Sequence, residues 1–522
     1  MSNRVHNSIM NIKVGMVFYV LSLLLAFFSR RVFLTCLGEE FIGLTGMLYN
    51  IMSYLSVAEL GIGTSIVVFL YKPLQEDNHE KINEVMSMLA FLYRCIGYVI
   101  GSLGLIVSLF FPWWFGNLNM SLFLVYFAFY SFLGSSIIGY IFNYRQLLVS
   151  ANQKQYLVNA YFQTINIFQS IIQILLAYYY KNLYLWVIVG FIFTIIGCLV
   201  FNYRIRKIYP WLEIDLTKGR KNLKKYPEVL RKTKQIFWQK IKNLVQFRSD
   251  ELLVGAFVSV STVALYGNYT IITSKLNYLV NVLSDGFSAG IGNLLAEGNK
   301  KNTMKVYWEM TATRFLILGI IFFPLLMYIQ PFISCWLGSK YVLSDLIVYL
   351  LIFQLFLYYQ NATVYIFIGA SGLFGDVWTA WAELAIYLVV TFLLAPTYGI
   401  VGILLGKIVS VFFFSIFWKP YYLFSRYFKE SVWVFWRGMI PYYVIFLLYF
   451  AIAVFLKNEI ISPRSISFGK LIFYAAITGI PHLLLYFISL FVFTRGMKFF
   501  VVRKPRLYKI MNHLSFSKLK FG

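Results

Sequence analysis

The chain has 522 residues, of which 60% are hydrophobic and only 13% charged, yet 46 Lys and Arg against 20 Asp and Glu leave a formal charge of +26. A soluble chain carries about a quarter charged residues, and a nucleic-acid binder sets its basic surface beside an ordinary core, so composition excludes both. Length alone would suggest roughly three soluble domains, but apolar runs recur throughout and the chain reads as a polytopic membrane protein.

Met1 to Lys13 is short and polar, and the apolar run after it reaches Leu37. That run is too long for the core of a cleavable signal, so the first helix is expected to stay. With about 20 apolar residues needed per spanning helix, about fourteen runs follow, centred near residues 23, 56, 99, 134, 168, 192, 248, 276, 320, 356, 386, 411, 446 and 482. The seventh is the weakest, because it carries Arg248, Asp250 and Glu251. With the N-terminus inside, 34 Lys and Arg fall on cytoplasmic segments and 5 on outer ones. Positive residues are retained on the cytoplasmic side, so both termini are expected inside a cytoplasmic membrane.

Thirteen of the basic residues crowd between Arg204 and Lys242, facing Glu213, Asp215 and Glu228. This segment is expected to lie on the anionic leaflet and to separate two halves. Sliding the second half back by 221 residues places Ile42-Gly43-Leu44-Thr45-Gly46 over Val263-Ala264-Leu265-Tyr266-Gly267, and Ser29-Arg30 over Asp250-Glu251. Two related bundles with a mid-membrane cavity are the plan of a secondary transporter. The expected organisation is an N-terminal six-helix lobe over 1–205, a basic linker over 206–235, a second six-helix lobe over 236–430, two additional helices over 431–495 and a basic cytoplasmic tail over 496–522. The fold class is therefore all-α, with two six-helix lobes around a central cavity plus two extra C-terminal helices.

Seven basic residues remain within the spans: Arg30, Arg31, Arg94, Arg248, Lys275, Arg314 and Lys407. Six acids join them: Glu59, Asp250, Glu251, Asp285, Glu309 and Glu383. Thirteen charges facing lipid would cost on the order of 30 kcal/mol on insertion scales, so most must face protein or water. Cys36, Cys95, Cys198 and Cys335 are far apart, as are the four histidines, and no metal-ligand spacing occurs. No GxxxxGK[ST] phosphate cradle is present. The outer loops are at most about 15 residues, too short to build a catalytic site around the Glu39-Glu40 pair. An integral glycosyltransferase is thus the weakest reading, and no enzyme activity is expected.

The segments Phe28-Ser29-Arg30-Arg31, Leu37-Gly38-Glu39-Glu40-Phe41-Ile42-Gly43-Leu44, Glu59-Leu60-Gly61-Ile62-Gly63 and Leu70-Tyr71-Lys72-Pro73 resemble the first two helices of Wzx-type polysaccharide flippases of the MOP exporter superfamily. Gly290-Ile291-Gly292-Asn293-Leu294 is similar to the same family. The resemblance implies movement of an undecaprenyl-pyrophosphate-linked oligosaccharide repeat unit to the outer leaflet for surface polysaccharide synthesis. Partners would be membrane lipids, a polysaccharide polymerase and glycosyltransferases, with no nucleic acid. Lipid II flippases resemble the chain at Ser29-Arg30, but the Arg-Asp pair expected shortly after is absent from Val32 to Leu37. A lipid II flippase and a drug or metabolite antiporter of the same superfamily stay open as alternatives.

A pyrophosphate link crossing hydrocarbon needs fixed cations in a wet path. Arg30, Arg31, Lys275, Arg314 and Lys407 are the candidate substrate-binding residues, Arg suiting bidentate contact and Lys a point charge. Glu59, Asp285 and Glu383 are candidates for ion coupling or for pairing with these cations, such as Glu59 with Arg30 and Asp285 with Lys275. No bound cofactor is expected. Coupling to a proton gradient, a sodium gradient or the membrane potential is left open by the residues.

Overall fold

The computed structural model describes residues 2–59, 62–152, 154–225, 233, 245, 249–288, 291–296, 298–373, 375–376, 378–460 and 467–503. Among these every regular element is helical. In chain order they are α1 Ser2–Leu37, α2 Glu39–Leu55, α3 Ile62–Gln75, α4 His79–Ser108, α5 Phe111–Phe115, α6 Leu122–Asn143, α7 Gln146–Ala151, α8 Gln155–Tyr180, α9 Leu183–Ile208 and α10 Leu216–Lys225. There follow α11 Asp250–Phe257, α12 Val260–Ser288, α13 Ile291–Ala296, α14 Lys300–Leu337, α15 Asp345–Gln360, α16 Ala362–Ala370, α17 Trp378–Tyr398 and α18 Ile400–Phe413. A π-helical turn over Phe414–Trp418 leads to α19 Lys419–Leu423, and the chain ends with α20 Val432–Ile460, α21 Phe468–Phe493 and α22 Arg495–Val502.

Eleven helical segments among the described residues are long and apolar enough to cross a membrane. They coincide with eleven of the fourteen expected runs, and the other three differ for identifiable reasons. The run near 56 is split, because a 3-10 turn over Ser56–Glu59 separates α2 from α3. Glu59 and the glycines around it disfavour a continuous helix through apolar surroundings. Of the run near 248 the described residues are Val245 and those from Ser249 onward, the latter entering the helix α11, Asp250–Phe257. The run near 276 is one 29-residue helix, α12, whose polar residues Asn268, Thr270, Thr273, Ser274, Lys275 and Asn277 interrupt the apolar sequence.

The chain divides into two compact units, Met1–Gly267 and Asn268–Gly522. In the first unit α1 ends at Leu37 and α2 opens at Glu39, across Gly38 at φ 89°. That value lies in the region glycine enters without steric cost. In the second repeat α11 ends at Phe257 and α12 opens at Val260. Glu39 and Val260 are 221 residues apart, so the offset suggested by sequence is the one at which the two hairpins begin their second helices together.

The start of the basic linker is held against α4. Asn83 Oδ1 accepts from the Glu213 amide at 3.2 Å, Ser87 Oγ from the Asp215 amide at 3.0 Å, and Asn222 Nδ2 donates to Glu84 O at 3.2 Å. Lys225 Nζ pairs with Glu84 at 2.9 Å, His79 stacks on Trp211 with ring centroids 3.8 Å apart, and Gly219 backs onto the Ser87 carbonyl. The polar residues at 83, 84 and 87 share one face of α4, which the spacing of three to four residues allows. Asp215 caps α10 by accepting from the Thr217 hydroxyl at 2.6 Å and from the Thr217 and Lys218 amides. The Thr217 hydroxyl, and after it the Lys218 amide, hold the Asp215 carboxyl below its usual range.

In the second unit α21, the second helix of the appended pair, is pinned to α14 by a row of polar contacts. Thr478 Oγ1 meets Tyr328 Oη at 2.6 Å, His482 Nε2 meets Gly319 O at 3.1 Å, and Tyr486 Oη donates to Phe315 O at 2.9 Å. Residues 478, 482 and 486 recur every four positions on one face of α21. Interhelical hydrogen bonds of this kind contribute about 0.6 kcal/mol each in a bilayer, on average. Gly319 is required at the crossing, since a Cβ there would strike the Tyr486 ring. The polypeptide then turns into α22, just after which Arg503 Nη1 lies 3.1 Å from the buried Glu309 carboxylate of α14.

Candidate functional site

The nominated residues fall into both units. Arg30, Arg31 and Glu59 belong to the first, and Lys275, Asp285, Arg314, Glu383 and Lys407 to the second. The side chain of Asp285 lies outside the described residues, as does Gly290 of the glycine-containing motif.

Near the end of α1, Arg30 is half-buried while its neighbour Arg31 is exposed, as adjacent helical positions point about 100° apart. Arg30 Nη2 donates to the Ala264 carbonyl on α12 at 2.9 Å. The first-unit acid, Glu59, sits in the break between α2 and α3. Tyr93 of α4 donates its hydroxyl to Glu59 Oε1 at 2.9 Å, and the Tyr140 ring of α6 lies beside Tyr93 with centroids 5.8 Å apart. A Cβ at Gly63 would come within 3.1 Å of Glu59 Oε1 and 2.8 Å of Tyr93 Oη, so glycine leaves the room that the carboxylate and phenol occupy. A broken helix holding a carboxylate inside a membrane protein is the arrangement in which transporters place coupling ions.

In the second unit Glu383 on α17 and Lys407 on α18 are each only 3% exposed. Their helices pack at close range because Gly402 and Gly406 present no side chain to the partner, and a Cβ at Gly406 would strike Thr391. Arg314 of α14 is buried at 8% exposure, and Lys275 of α12 is half-buried. Further along, Lys419 Nζ pairs with Asp376 Oδ2 at 2.6 Å, both residues being buried. The Lys419 ammonium also lies 5.6 Å from the Tyr365 ring centre, within cation–π range. Beside it the π-helical turn presents Ser415, which accepts from Gln360 Nε2 at 3.2 Å and donates to Leu357 O at 3.2 Å, while Tyr443 Oη donates to Gln360 Oε1 at 2.7 Å.

Lys419 is not among the candidates that stand out in the sequence, nor is Lys457, since both lie at the ends of apolar runs; both are buried, Lys457 at 6% exposure with Asp345 Oδ1 and Gln330 Oε1 each at 2.5 Å. Their acids stand 43 and 112 residues away in sequence, so no local pattern announces the pairs. The Tyr93 partner of Glu59 was equally invisible among 40 tyrosines. Among the described residues no group of His, Cys, Asp and Glu is placed to hold a metal ion.

No protein-family model and no curated protein sequence matches the chain. Solved structures do. The chain is similar to the lipid II flippase MurJ in its inward closed conformation, with a TM-score of 0.65 and 16% identity over 91% of this chain and 98% of that one. It is also similar to a multidrug resistance MATE family transporter of the MOP superfamily in its inward-facing conformation, with a TM-score of 0.55 and 14% identity over 79% of this chain and 97% of that one. A mutant of the Vibrio cholerae MATE transporter VcmN aligns with a TM-score of 0.51 and 14% identity, over 83% of this chain and all of the other. At such identities the likeness establishes the fold: a multi-pass membrane protein with the architecture of MOP-superfamily transporters and flippases.

Proposed function

We propose that this chain, with its MOP-transporter fold, is a flippase that moves an undecaprenyl-pyrophosphate-linked oligosaccharide repeat unit across the cytoplasmic membrane by alternating access. The observation that carries this reading is the set of cations enclosed in spanning segments, Arg314 and Lys407 buried and Arg30 half-buried, with Lys275 half-buried on the more polar helix α12. Each enclosed charge is costly in a bilayer and marks a path for a charged substrate or a paired structural element. A pyrophosphate is a chemical match, since guanidinium groups take phosphate oxygens bidentately and ammonium groups add point charge. Cationic drugs, by contrast, would favour a net acidic path. Arg31, exposed on α1, would serve the headgroup only where that face meets water.

Glu59, held by Tyr93 in a broken helix, is the residue we assign to ion coupling. Glu383 is buried on α17 of the close-packed pair α17 and α18, where a structural pairing is the simpler role. The lipid II reading shares the pyrophosphate and the polyprenyl tail, and differs in the sugar.

The test is depletion of the protein in cells, followed by location of the lipid-linked repeat unit. Accumulation on the inner leaflet with loss of surface polysaccharide supports the reading. Normal polysaccharide with arrested cell-wall synthesis would move the assignment to lipid II, and normal growth with drug hypersensitivity would move it to an antiporter.

A further inference from the structure

Reciprocal contacts join the two repeats. At the 221-residue offset Arg30 corresponds to Glu251, Gly43 to Ala264 and Gly46 to Gly267. Arg30 leaves α1 and reaches α12, where it binds the Ala264 carbonyl and would lie 3.0 Å from a Cβ at Gly267. Glu251 leaves α11 and reaches α2, where its Oε2 accepts from Asn50 Nδ2 at 2.6 Å and would lie 3.2 Å from a Cβ at Gly46. Each charge thus departs from the first helix of its own repeat and comes to rest beside the same glycine position in the other. All of these residues lie within the first unit.

The crossing between them is tight. Gly43 backs onto the Val260 carbonyl with no room for a side chain, and Val263 packs over Gly46. Gly255 faces Met47 in the same way, and Tyr54 Oη meets Ser249 Oγ at 2.5 Å. Two hairpins related by a pseudo-two-fold axis generate such paired contacts, and the relation is broken in the sign of the charge: a cation in the first repeat, an anion in the second.

We propose that Arg30 and Glu251 are the two halves of one latch that holds this hairpin crossing shut, and that a phosphate anion releases it from the Arg30 side alone. For its ligand the proposal rests on the flippase reading; for the latch it rests on the reciprocal geometry. The Ala264 carbonyl occupies a donor of the guanidinium fork that bidentate phosphate recognition uses, and a phosphate offers that fork two parallel bonds and an opposite charge where the carbonyl offers one neutral acceptor. Glu251 repels the same ligand and keeps its bond to Asn50. One contact loosens on binding while the other preserves the register to which the hairpins return. Glu251 is therefore a positioning residue, one that the sequence placed opposite Arg30 without assigning it a part.

The experiment uses the full chain in lipid nanodiscs, with Cys36, Cys95, Cys198 and Cys335 replaced by Ser and Val263→Cys as reporter, because Val263 is 2% exposed in the closed crossing. Labelling by a water-soluble maleimide reads how often the crossing opens. Glu251→Leu and Arg30→Met should each label about tenfold faster than the parent, the shift expected from losing one hydrogen bond to a charged group. Glu251→Gln, which still accepts from Asn50, should stay within about threefold of the parent, the smaller change expected when a neutral bond replaces a charged one. Undecaprenyl pyrophosphate in the nanodisc should speed labelling of the parent and of Glu251→Leu, and leave Arg30→Met unchanged. Parent-like labelling in both single variants overturns the latch, as does Glu251→Gln labelling as fast as Glu251→Leu. Acceleration by the pyrophosphate lipid that persists in Arg30→Met overturns the trigger. Fast labelling of both variants with no lipid effect on the parent overturns the phosphate trigger and upholds the latch, while the substrate assignment stands or falls on flipping of the lipid-linked sugar itself.

Discussion

Removing one partner of the Lys419–Asp376 pair should destabilise the second unit far more than removing both. The pair is 2.6 Å long and its side chains retain only 11% and 7% of their exposure, so solvent screens it little. Lys419→Met leaves the Asp376 carboxylate buried without its cation, and a broken buried pair costs about 3 to 5 kcal/mol. Asp376→Leu leaves an ammonium whose remaining neighbour is the Tyr365 ring, and should cost a similar amount. The double variant Lys419→Met with Asp376→Leu removes both charges and inserts apolar groups of similar size, for which the expected change lies near zero or is stabilising. The assay is the apparent melting temperature of purified protein in one detergent, followed by size-exclusion chromatography after heating. Both single variants should melt well below the parent, and the double variant should recover most of the loss. If the losses simply add, or if Lys419→Met melts with the parent, the pair is not the buried, mutually dependent contact described above.

Gly319→Val should push the Tyr486 ring off α14 and cost about 1 to 3 kcal/mol through overpacking, read as a lower melting temperature that Tyr486→Leu partly relieves. Glu59→Gln should uncouple transport from the ion gradient in proteoliposomes, while Tyr93→Phe, which removes one hydrogen bond to the same carboxylate, should weaken coupling without abolishing it. Asp215→Ala should speed hydrogen exchange across residues 216–225, because it removes the cap of that helix. Since the native contacts hold the Asp215 carboxyl below its usual range, their contribution is present at neutral pH and disappears as pH falls through that lowered value, so the protection of residues 216–225 relative to the intrinsic exchange rate at each pH should fall on acidification in the parent and not in Asp215→Ala.

Most of the helical frame is legible from apolar run length alone, because a bilayer imposes a minimum length on every uninterrupted spanning helix. What run length cannot register is interruption. The segment around residue 56 reads as one span, yet Glu59 occupies a 3-10 turn that divides it, and α12 is helical over 29 residues despite its polar sequence. Arg314, Lys407 and Glu383 stood out as charges in apolar runs, and burial agrees with that signal. Lys419 and Lys457 did not, since their positions at the ends of runs made them look like markers of topology. The linker shows the same limit: thirteen basic residues suggest a lipid surface, while the contacts of its described part depend on Asn83, Glu84 and Ser87, more than a hundred residues earlier.

The internal offset of 221 residues rested on a five-residue match, and the coincidence of helix starts at Glu39 and Val260 gives it structural content. It also placed Arg30 over Glu251, a correspondence whose opposite charges disguised the shared position. The physics that conceals it is simple. Two residues can hold equivalent places in a repeat by bonding the backbone carbonyl in one case and a side-chain amide in the other, so chemical likeness is not required.

The central claim is tested most directly by flipping in proteoliposomes that contain a fluorescent undecaprenyl-pyrophosphate-linked oligosaccharide, with outer-leaflet exposure followed by a membrane-impermeant quencher. The parent should move the lipid, and Arg30→Ala should slow it at least tenfold while still purifying as a folded, monodisperse protein. Equal rates for the parent and for empty liposomes, or an undiminished rate in Arg30→Ala together with Lys275→Ala and Lys407→Ala, would contradict a cationic path for an anionic lipid-linked sugar.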